Sequence, residues 1–271
     1  MINELLAALE ADAGKYQYQQ LYENLHRIAL KGMNIGSGAG VEKSGEKAAI
    51  EYIKKKLYSR YQTEKFMLFD VGANVGSYSL QLADLFGDKA VICAFEPSKS
   101  TCERLHSTVA PCGNVQVFNF GFGENNSRMQ LHYDQEGSGL ASLYARQIDH
   151  FGIVLDKGEE VVIWKLDDFC GKANIDHIHF LKLDVEGHEL AVLKGAERMI
   201  ANDAIDFVQF EFGGCNIDSR TYFQDFFRLL NRQYQIFRIL KDGIWPINRY
   251  REELECFVCS NYLAQRRNAD I

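Results

Sequence analysis

The stretch FMLFDVGANVGSYSLQLADLF, Phe66 to Phe86, limits the fold more than any other. An apolar run passes through two glycines, Gly72 and Gly76, into a helical pattern. An unbroken apolar run suits a strand covered on both faces, and a strand followed by a turn and a helix is the repeating unit of a parallel sheet. Further runs of this kind are AVICAFE, VQVFNF, HIHFLKLDV and DFVQFEF, with helical stretches such as LAVLKGAERMI and TYFQDFFRLLNRQ between several of them. The alternation predicts a mostly parallel sheet with helices on both faces. YQIFRILKDGIWPI reads as two strands about an Asp242-Gly243 turn, and CFVCSNYL as a last strand, so an antiparallel pair closes the sheet.

The chain begins differently. Ile2, Leu5, Leu6 and Leu9, then Leu21, Tyr22, Leu25, Ile28 and Ala29, recur at helical spacing. GMNIGSGAGVEKSGE follows, read either as a linker or as a lid, and KAAIEYIKKKLYSRY returns to helix with Ser44 as its N-cap. The expected organisation is a helical cap with a glycine-rich loop over 1–64 and an α/β domain over 65–271. The apolar face of the first helix is a candidate homodimer contact.

Lys and Arg number 30 against 37 Asp and Glu, a net charge of -7 with no basic cluster, which argues against a nucleic-acid partner. No apolar run reaches the ~18 residues that cross a bilayer, and MINELLAALEADAG lacks the basic start of a signal peptide. A soluble, cytoplasmic protein without a membrane partner is expected. The seven cysteines mostly sit in apolar runs and read as reduced core thiols. Cys256 and Cys259 are three apart; on a strand they point to opposite faces and cannot clamp one metal.

The turn itself discriminates between cofactors. A dinucleotide site wants G-x-G-x-x-G, whose middle glycine lets a pyrophosphate approach the backbone. Here Asn74 stands at that place, and the Asp70 carboxylate just before the turn repels a diphosphate. A ligand with an ammonium or sulfonium suits it better, and S-adenosylmethionine is such a ligand. A second acid is then expected at the end of the next strand to accept hydrogen bonds from the ribose hydroxyls, and Glu96 is there, about 20 residues beyond the turn. A nicotinamide-dependent oxidoreductase and a non-catalytic cofactor-binding protein are the competing readings.

FDVGANVGSYSL, AFEPS, LDDF…HIHFLKLDVEGHELAVLKGAERMI and VQFEF, in this order, resemble the FkbM-type methyltransferases from about Lys65 to about Asn231. Of the first sixty or so residues only SGE matches. The resemblance implies a class I methyltransferase fold, a Rossmann-like seven-stranded sheet whose last strand is inserted antiparallel. It further implies S-adenosylmethionine as methyl donor and O-methylation of natural products or sugars. By position, Asp70, Gly72, Asn74 and Gly76 match the motif holding the methionine part, Glu96 the ribose ligand, and Gly121 and Phe122 the residues flanking adenine.

An alcohol needs a general base, worth about 10²–10⁴-fold, and ligands in open α/β sheets sit at the carboxyl ends of the strands. Asp184, Glu186, His188 and Glu211 all fall there. His188 is the first choice, since imidazole takes a proton near neutral pH; capping the next helix is its other reading. Asp184 faces either the donor's ammonium or the acceptor. Glu186 and Glu211 orient the acceptor or, with Asp184, form an oxygen-rich divalent site, which is not favoured. His177 and His179 read as packed histidines, and Lys182 as a buried partner of a carboxylate. N-methylation on the same fold is the runner-up and makes His188 dispensable. GSGLASLYAR, 137–146, is an ordinary loop or a lid near the donor.

Overall fold

The computed structural model describes residues 2–36, 44–61 and 65–267. Residues 37–43, at the heart of the glycine-rich stretch read as linker or lid, lie outside them. The chain opens with helices α1 (Ile2–Ala11), α2 (Gln19–Gly32) and α3 (Glu46–Arg60). There follow β1 (Phe66–Val71), α4 (Ser77–Phe86), β2 (Ala90–Phe95), α5 (Lys99–Val109), β3 (Val115–Phe118), β4 (Gly121–Gly123), β5 (Ser127–Tyr133) and β6 (Lys157–Lys165). The second half contains α6 (Leu166–Ala173), β7 (Ile178–Leu183), α7 (Glu189–Gly195), α8 (Glu197–Ala201), β8 (Ile205–Phe212), α9 (Cys215–Ser219) and α10 (Phe223–Leu230). Strands β9 (Tyr234–Leu240), β10 (Gly243–Ile247) and β11 (Ser260–Arg266) complete it.

The main sheet runs β10-β9-β11-β8-β7-β1-β2-β3. Strands β1, β2, β3, β7 and β8 pair in parallel, and β11 is antiparallel to both β8 and β9. This is the class I methyltransferase order with its inserted antiparallel strand. The expected seven strands gain an eighth, because β10 folds back on β9 as an edge strand. Gly243 already pairs with Leu240, so the hairpin turns on Lys241 and Asp242, one residue earlier than the sequence reading. The last strand likewise begins at Ser260, leaving Cys256 and Cys259 in the segment before it, not on a strand; all seven cysteines are free thiols.

A separate sheet, β4-β6-β5, was not foreseen. Its strands SRMQLHY and KGEEVVIWK carry charged and polar residues on their exposed face and only a thin apolar face, Leu131, Val161 and Ile163, so neither shows the solid apolar run of a central strand.

Helix α3, placed by the sequence in the cap, packs in the same core as β1 and β8. Ala49, Ile50, Ile53 and Leu57 are buried with Leu68, Tyr78, Leu82, Phe180 and Phe207. Each buried Ile or Leu stabilises by about 1.5–3 kcal/mol. Helices α6, α7, α8 and α10 cover the opposite face through Leu166, Leu193, Met199 and Phe226. In contrast α2 buries no residue, and Leu21 and Ile28 are exposed. Ser44 is not the cap residue of α3: Gly45 is, at φ 91°, because a Cβ there meets the Leu240 carbonyl oxygen at 2.0 Å. Ser44 Oγ instead accepts the Glu46 amide at 3.3 Å and donates to Glu46 Oε2 at 2.9 Å. Among the described residues no helix is long and apolar enough to cross a membrane.

Candidate active site

The turn after β1 follows from two crowded glycines. Gly72 has φ 81°, and a Cβ there meets the Asp184 carbonyl oxygen at 1.8 Å; Gly76 has φ 95° and abuts Leu105. Only glycine fits such positions without strain. The amides of Gly72 and Ala73 both donate to the Phe95 carbonyl at 3.0 Å, which draws the turn towards the end of β2. Glu96 stands there, 7 % exposed; its Oε2 accepts the Asn74 amide at 3.0 Å and its Oε1 the Ser98 amide at 2.9 Å. Burial pushes its carboxyl up to about 7 against the pull of those two amides.

A cavity of about 380 Å³ opens over these strand ends. Gly72, Asn74 and Glu96 form one wall. Gly121 and Phe122 on β4, with Ile163 and Leu131 of the small sheet, form an apolar wall, and Gly139, Leu140 and Ala141 close it from the loop after β5. Asp184, Glu186, His188 and Glu211 line the remaining side. Ten of the eleven sequence-predicted site residues therefore lie on the cavity or in the turn that shapes it. Asp70 does not reach it.

Asp70 is fully buried beneath the turn, where Oδ2 accepts the Ser79 hydroxyl at 2.6 Å and Lys182 Nζ lies 3.9 Å from Oδ1. Burial raises its pKa, with the Lys182 charge opposing. Lys182 also donates to Asp184 Oδ2 at 2.9 Å and sits over the Tyr78 ring at 4.5 Å. Burial works against its charge, yet Asp184, Asp70 and Glu46 hold its pKa above the usual lysine value. Lys182 is thus the buried partner of carboxylates that the alternation of β7 suggests. Glu46, reaching over from α3, lines a smaller adjoining cavity with Lys182 and Asp184, so the N-terminal region borders the site.

The loop between β7 and α7 is held by Glu189, a residue sequence reasoning passed over. Its carboxylate, fully buried, accepts the amides of Val185 (3.0 Å) and Gly187 (3.1 Å). Glu186 adopts φ 50°, and its carboxylate pairs with Arg146, which also lies 3.6 Å from Asp218. Burial and the Asp184 charge raise the Glu186 pKa, with Arg146 opposing. Glu211 is raised well above the carboxylate range by burial, then by Asp184 and Glu186. Its contact with the Cys259 thiol pulls weakly the other way. Among the described residues Asp184 and Glu186 each have a cationic partner and Glu211 has none.

His188 stands at the N-cap position of α7, but its side chain caps nothing. Nδ1 lies 3.0 Å from the Tyr144 hydroxyl, and burial depresses its pKa to about 4. Its neutral pKa, the ground for choosing it as base, is therefore lost to desolvation. Tyr144 and Arg146 both come from the 137–146 loop, whose small residues gave no sign that two of its members reach site side chains.

His177, His179 and Asp206 form the one group of possible metal ligands of this type among the described residues, at the opposite ends of the strands. Their hydrogen bonds speak against an ion there. His179 Nδ1 accepts the Met67 amide at 2.9 Å, so the neutral ring carries its proton on Nε2 and has no lone pair to offer. Asp206 is already held by Arg60, Arg266, Tyr61 and His177 at 2.8 to 3.1 Å.

Residues 70–236, more than half of the chain, match the model of the methyltransferase FkbM domain. The chain belongs to this family. It is 25% identical over 172 residues to Methyltransferase 1 of Beauveria bassiana, spanning 56% of this chain and 69% of that protein. It is 21% identical over 168 residues to the 2-O-methyltransferase NoeI of Sinorhizobium fredii, spanning 58% and 68%. A third relative, the hexuronic acid methyltransferase AglP of Haloferax volcanii, is 30% identical over 150 residues, spanning 54% of this chain and 55% of its own length. The FkbM chain is accordingly an S-adenosylmethionine-dependent methyltransferase, and the nicotinamide reading is set aside. The matched segment begins at Asp70 and so excludes α1, α2 and α3.

Proposed function

We propose that this FkbM-type enzyme O-methylates a hydroxyl of a small saccharide or natural product, with Glu211 as general base. One observation carries the reading: among the described residues the cavity is lined by four acidic side chains, Glu96, Asp184, Glu186 and Glu211, and by no Lys or Arg, beside a histidine that burial keeps neutral. Such a wall attracts a sulfonium and an ammonium, accepts hydrogen bonds from hydroxyls, and repels a diphosphate.

Glu96, fixed by two amides, is suited to accept the ribose hydroxyls, Gly121 and Phe122 to flank adenine, and the turn from Gly72 to Asn74 to take the methionine part. Asp70 acts at one remove, through Lys182. When bound, S-adenosylmethionine supplies an electrophilic methyl group and a positive charge. Glu96 is given to the ribose, Asp184 is tied to Lys182 and Glu186 to Arg146, which leaves Glu211 as the remaining cavity carboxylate, without a cation among the described residues. A carboxyl raised by burial and like charges, as that of Glu211 is, makes a stronger base for an alcohol than an ordinary carboxylate. His188, held by Tyr144, shapes the wall beside it. The names of the relatives NoeI and AglP support oxygen and a saccharide as acceptor.

The test is methyl transfer from S-adenosylmethionine to a saccharide panel by wild-type and Glu211→Gln enzyme. The proposal expects a 10²-fold or greater fall in kcat with S-adenosylhomocysteine affinity retained. A full rate in the variant refutes the base assignment, and transfer to amines alone refutes O-methylation in favour of N-methylation.

A further inference from the structure

Outside the methyl-transfer cavity, behind α7, two further cavities of about 640 and 720 Å³ adjoin one another. They share the walls Glu124, Lys194 and Leu229 and so form one groove. Tyr144 lines the first of them while its hydroxyl holds His188 of the methyl-transfer cavity, so the two sites share a partition. Together their size is enough for a short oligosaccharide.

The groove inverts the charge of the molecule. Five cations come to it from separate elements: Lys165 at the end of β6, Lys194 on α7, Arg220 after α9, Arg228 on α10, and Arg232 just beyond. Three acids accompany them, and two are engaged. Asp225 accepts the Tyr222 amide at 2.9 Å to cap α10, and Glu124 lies 3.8 Å from Lys194 in a half-exposed pair of little energy. The third is Glu197. Arg220, Arg228 and Arg232 form no ion pair and no side-chain hydrogen bond among the described residues. On a chain of net charge -7 such a concentration is not the average surface.

Arg220 adds an independent observation. It is the C-cap of α9 at φ 58°, a left-handed position that favours glycine or asparagine, and a larger side chain there costs about 1 kcal/mol. An arginine stands there at the expense of the helix end, and its guanidinium has no partner among the described residues.

We propose that this groove is a second ligand site, for the oxyanion groups of an extended acceptor: a saccharide carrying phosphate, sulfate or carboxylate substituents. The groove's cations hold the substituted part, and the acidic methyl-transfer cavity receives a neutral hydroxyl-bearing ring. The saccharide half of this statement rests on the function proposed above; the oxyanion site does not.

Inorganic pyrophosphate, titrated calorimetrically into the 271-residue chain at 20 mM and 300 mM NaCl, tests it, with maltotetraose as the uncharged control. The variants are Arg220→Gln/Arg228→Gln/Arg232→Gln and, on β5 and lining neither cavity, Arg128→Gln. Expected are saturable pyrophosphate binding that weakens at least tenfold with salt, at least tenfold weaker binding by the triple variant, no change for Arg128→Gln, and no binding of maltotetraose in the groove. S-adenosylhomocysteine binding, measured on the same samples, is expected to stay unchanged in the triple variant. Absence of saturable pyrophosphate binding by wild-type protein, or equal affinity in the triple variant, overturns the site. Failure of S-adenosylhomocysteine to bind overturns the donor-site reading and leaves the groove standing.

Discussion

The Asn74 amide donates to Glu96 Oε2 at 3.0 Å, so the glycine turn after β1 and the acid after β2 form one hydrogen-bonded unit. Glu96→Ala removes the carboxylate proposed to accept the ribose hydroxyls and frees that amide. Loss of hydrogen bonds to a charged group corresponds to about 1.5–3 kcal/mol, so S-adenosylhomocysteine affinity is expected to fall roughly 10- to 100-fold by calorimetry. An unchanged affinity removes Glu96 from the donor site.

The same residue sets a pH dependence. Burial lifts the Glu96 carboxyl from 4.5 to about 7, and that of Glu189 to about 7 as well. A folded pKa above the unfolded one means that the native state holds the extra proton. The resulting stabilisation is complete below about pH 4.5 and is lost as pH rises through 7. Ligand-free wild type should therefore lose stability relative to Glu96→Gln between pH 5 and 8 in urea titrations. Ligand affinity should run the other way and rise towards pH 7, since the ionised carboxylate is the better acceptor. A constant difference between the two proteins across that range contradicts the placement of the proton.

Gly72→Ala forces a Cβ to within 1.8 Å of the Asp184 carbonyl, at a φ of 81°. Because β1 and β7 are bonded side by side at this point, through the Asp184 amide and the Val71 carbonyl at 3.0 Å, the clash is not relieved by a side-chain shift. A destabilisation of about 2–4 kcal/mol is expected, together with loss of cofactor binding. A variant with wild-type stability places the glycine's importance elsewhere.

Glu211 lies beside Asp184 and Glu186 with no cationic partner among the described residues, so a positive charge entering the cavity lowers its pKa. S-adenosylmethionine carries a sulfonium that S-adenosylhomocysteine lacks. Binding of the methylated form is therefore expected to release more protons, read as a dependence of binding enthalpy on the buffer's ionisation enthalpy. Glu211→Gln should abolish the difference; its persistence in the variant assigns the proton to another group.

Much of this was legible in the sequence because the central strands have no solvent face. FMLFDV and HIHFLKL announce themselves as buried parallel strands, and Glu96, Asp184 and Glu211, at the ends of β2, β7 and β8, fall on the cavity by topology alone. Strands β5 and β6 were invisible, since a two-faced edge sheet dilutes its apolar pattern with Glu, Lys and Arg. Burial also reverses inferences made from residue type. His188, the first choice of base on its ordinary pKa, is depressed to about 4, while Glu211, read as orienting the acceptor or joining a divalent site, is raised. Tyr144 and Arg146 arrive from a loop whose path no periodicity records. Asp70 was placed correctly in the chain, but only the alternation of β1 around the turn reveals that its side chain points into the core under Lys182.

The most direct test of the central claim is the thermal-unfolding shift of the purified protein with S-adenosylhomocysteine, beside NAD and buffer alone. At 100 times its Kd a bound ligand adds about 2.7 kcal/mol to stability, which is readily seen. The account predicts a shift with S-adenosylhomocysteine, diminished in Glu96→Ala, and none with NAD. A shift with NAD alone, or none with S-adenosylhomocysteine, contradicts the reading of the turn between Gly72 and Gly76 as a sulfonium-donor site.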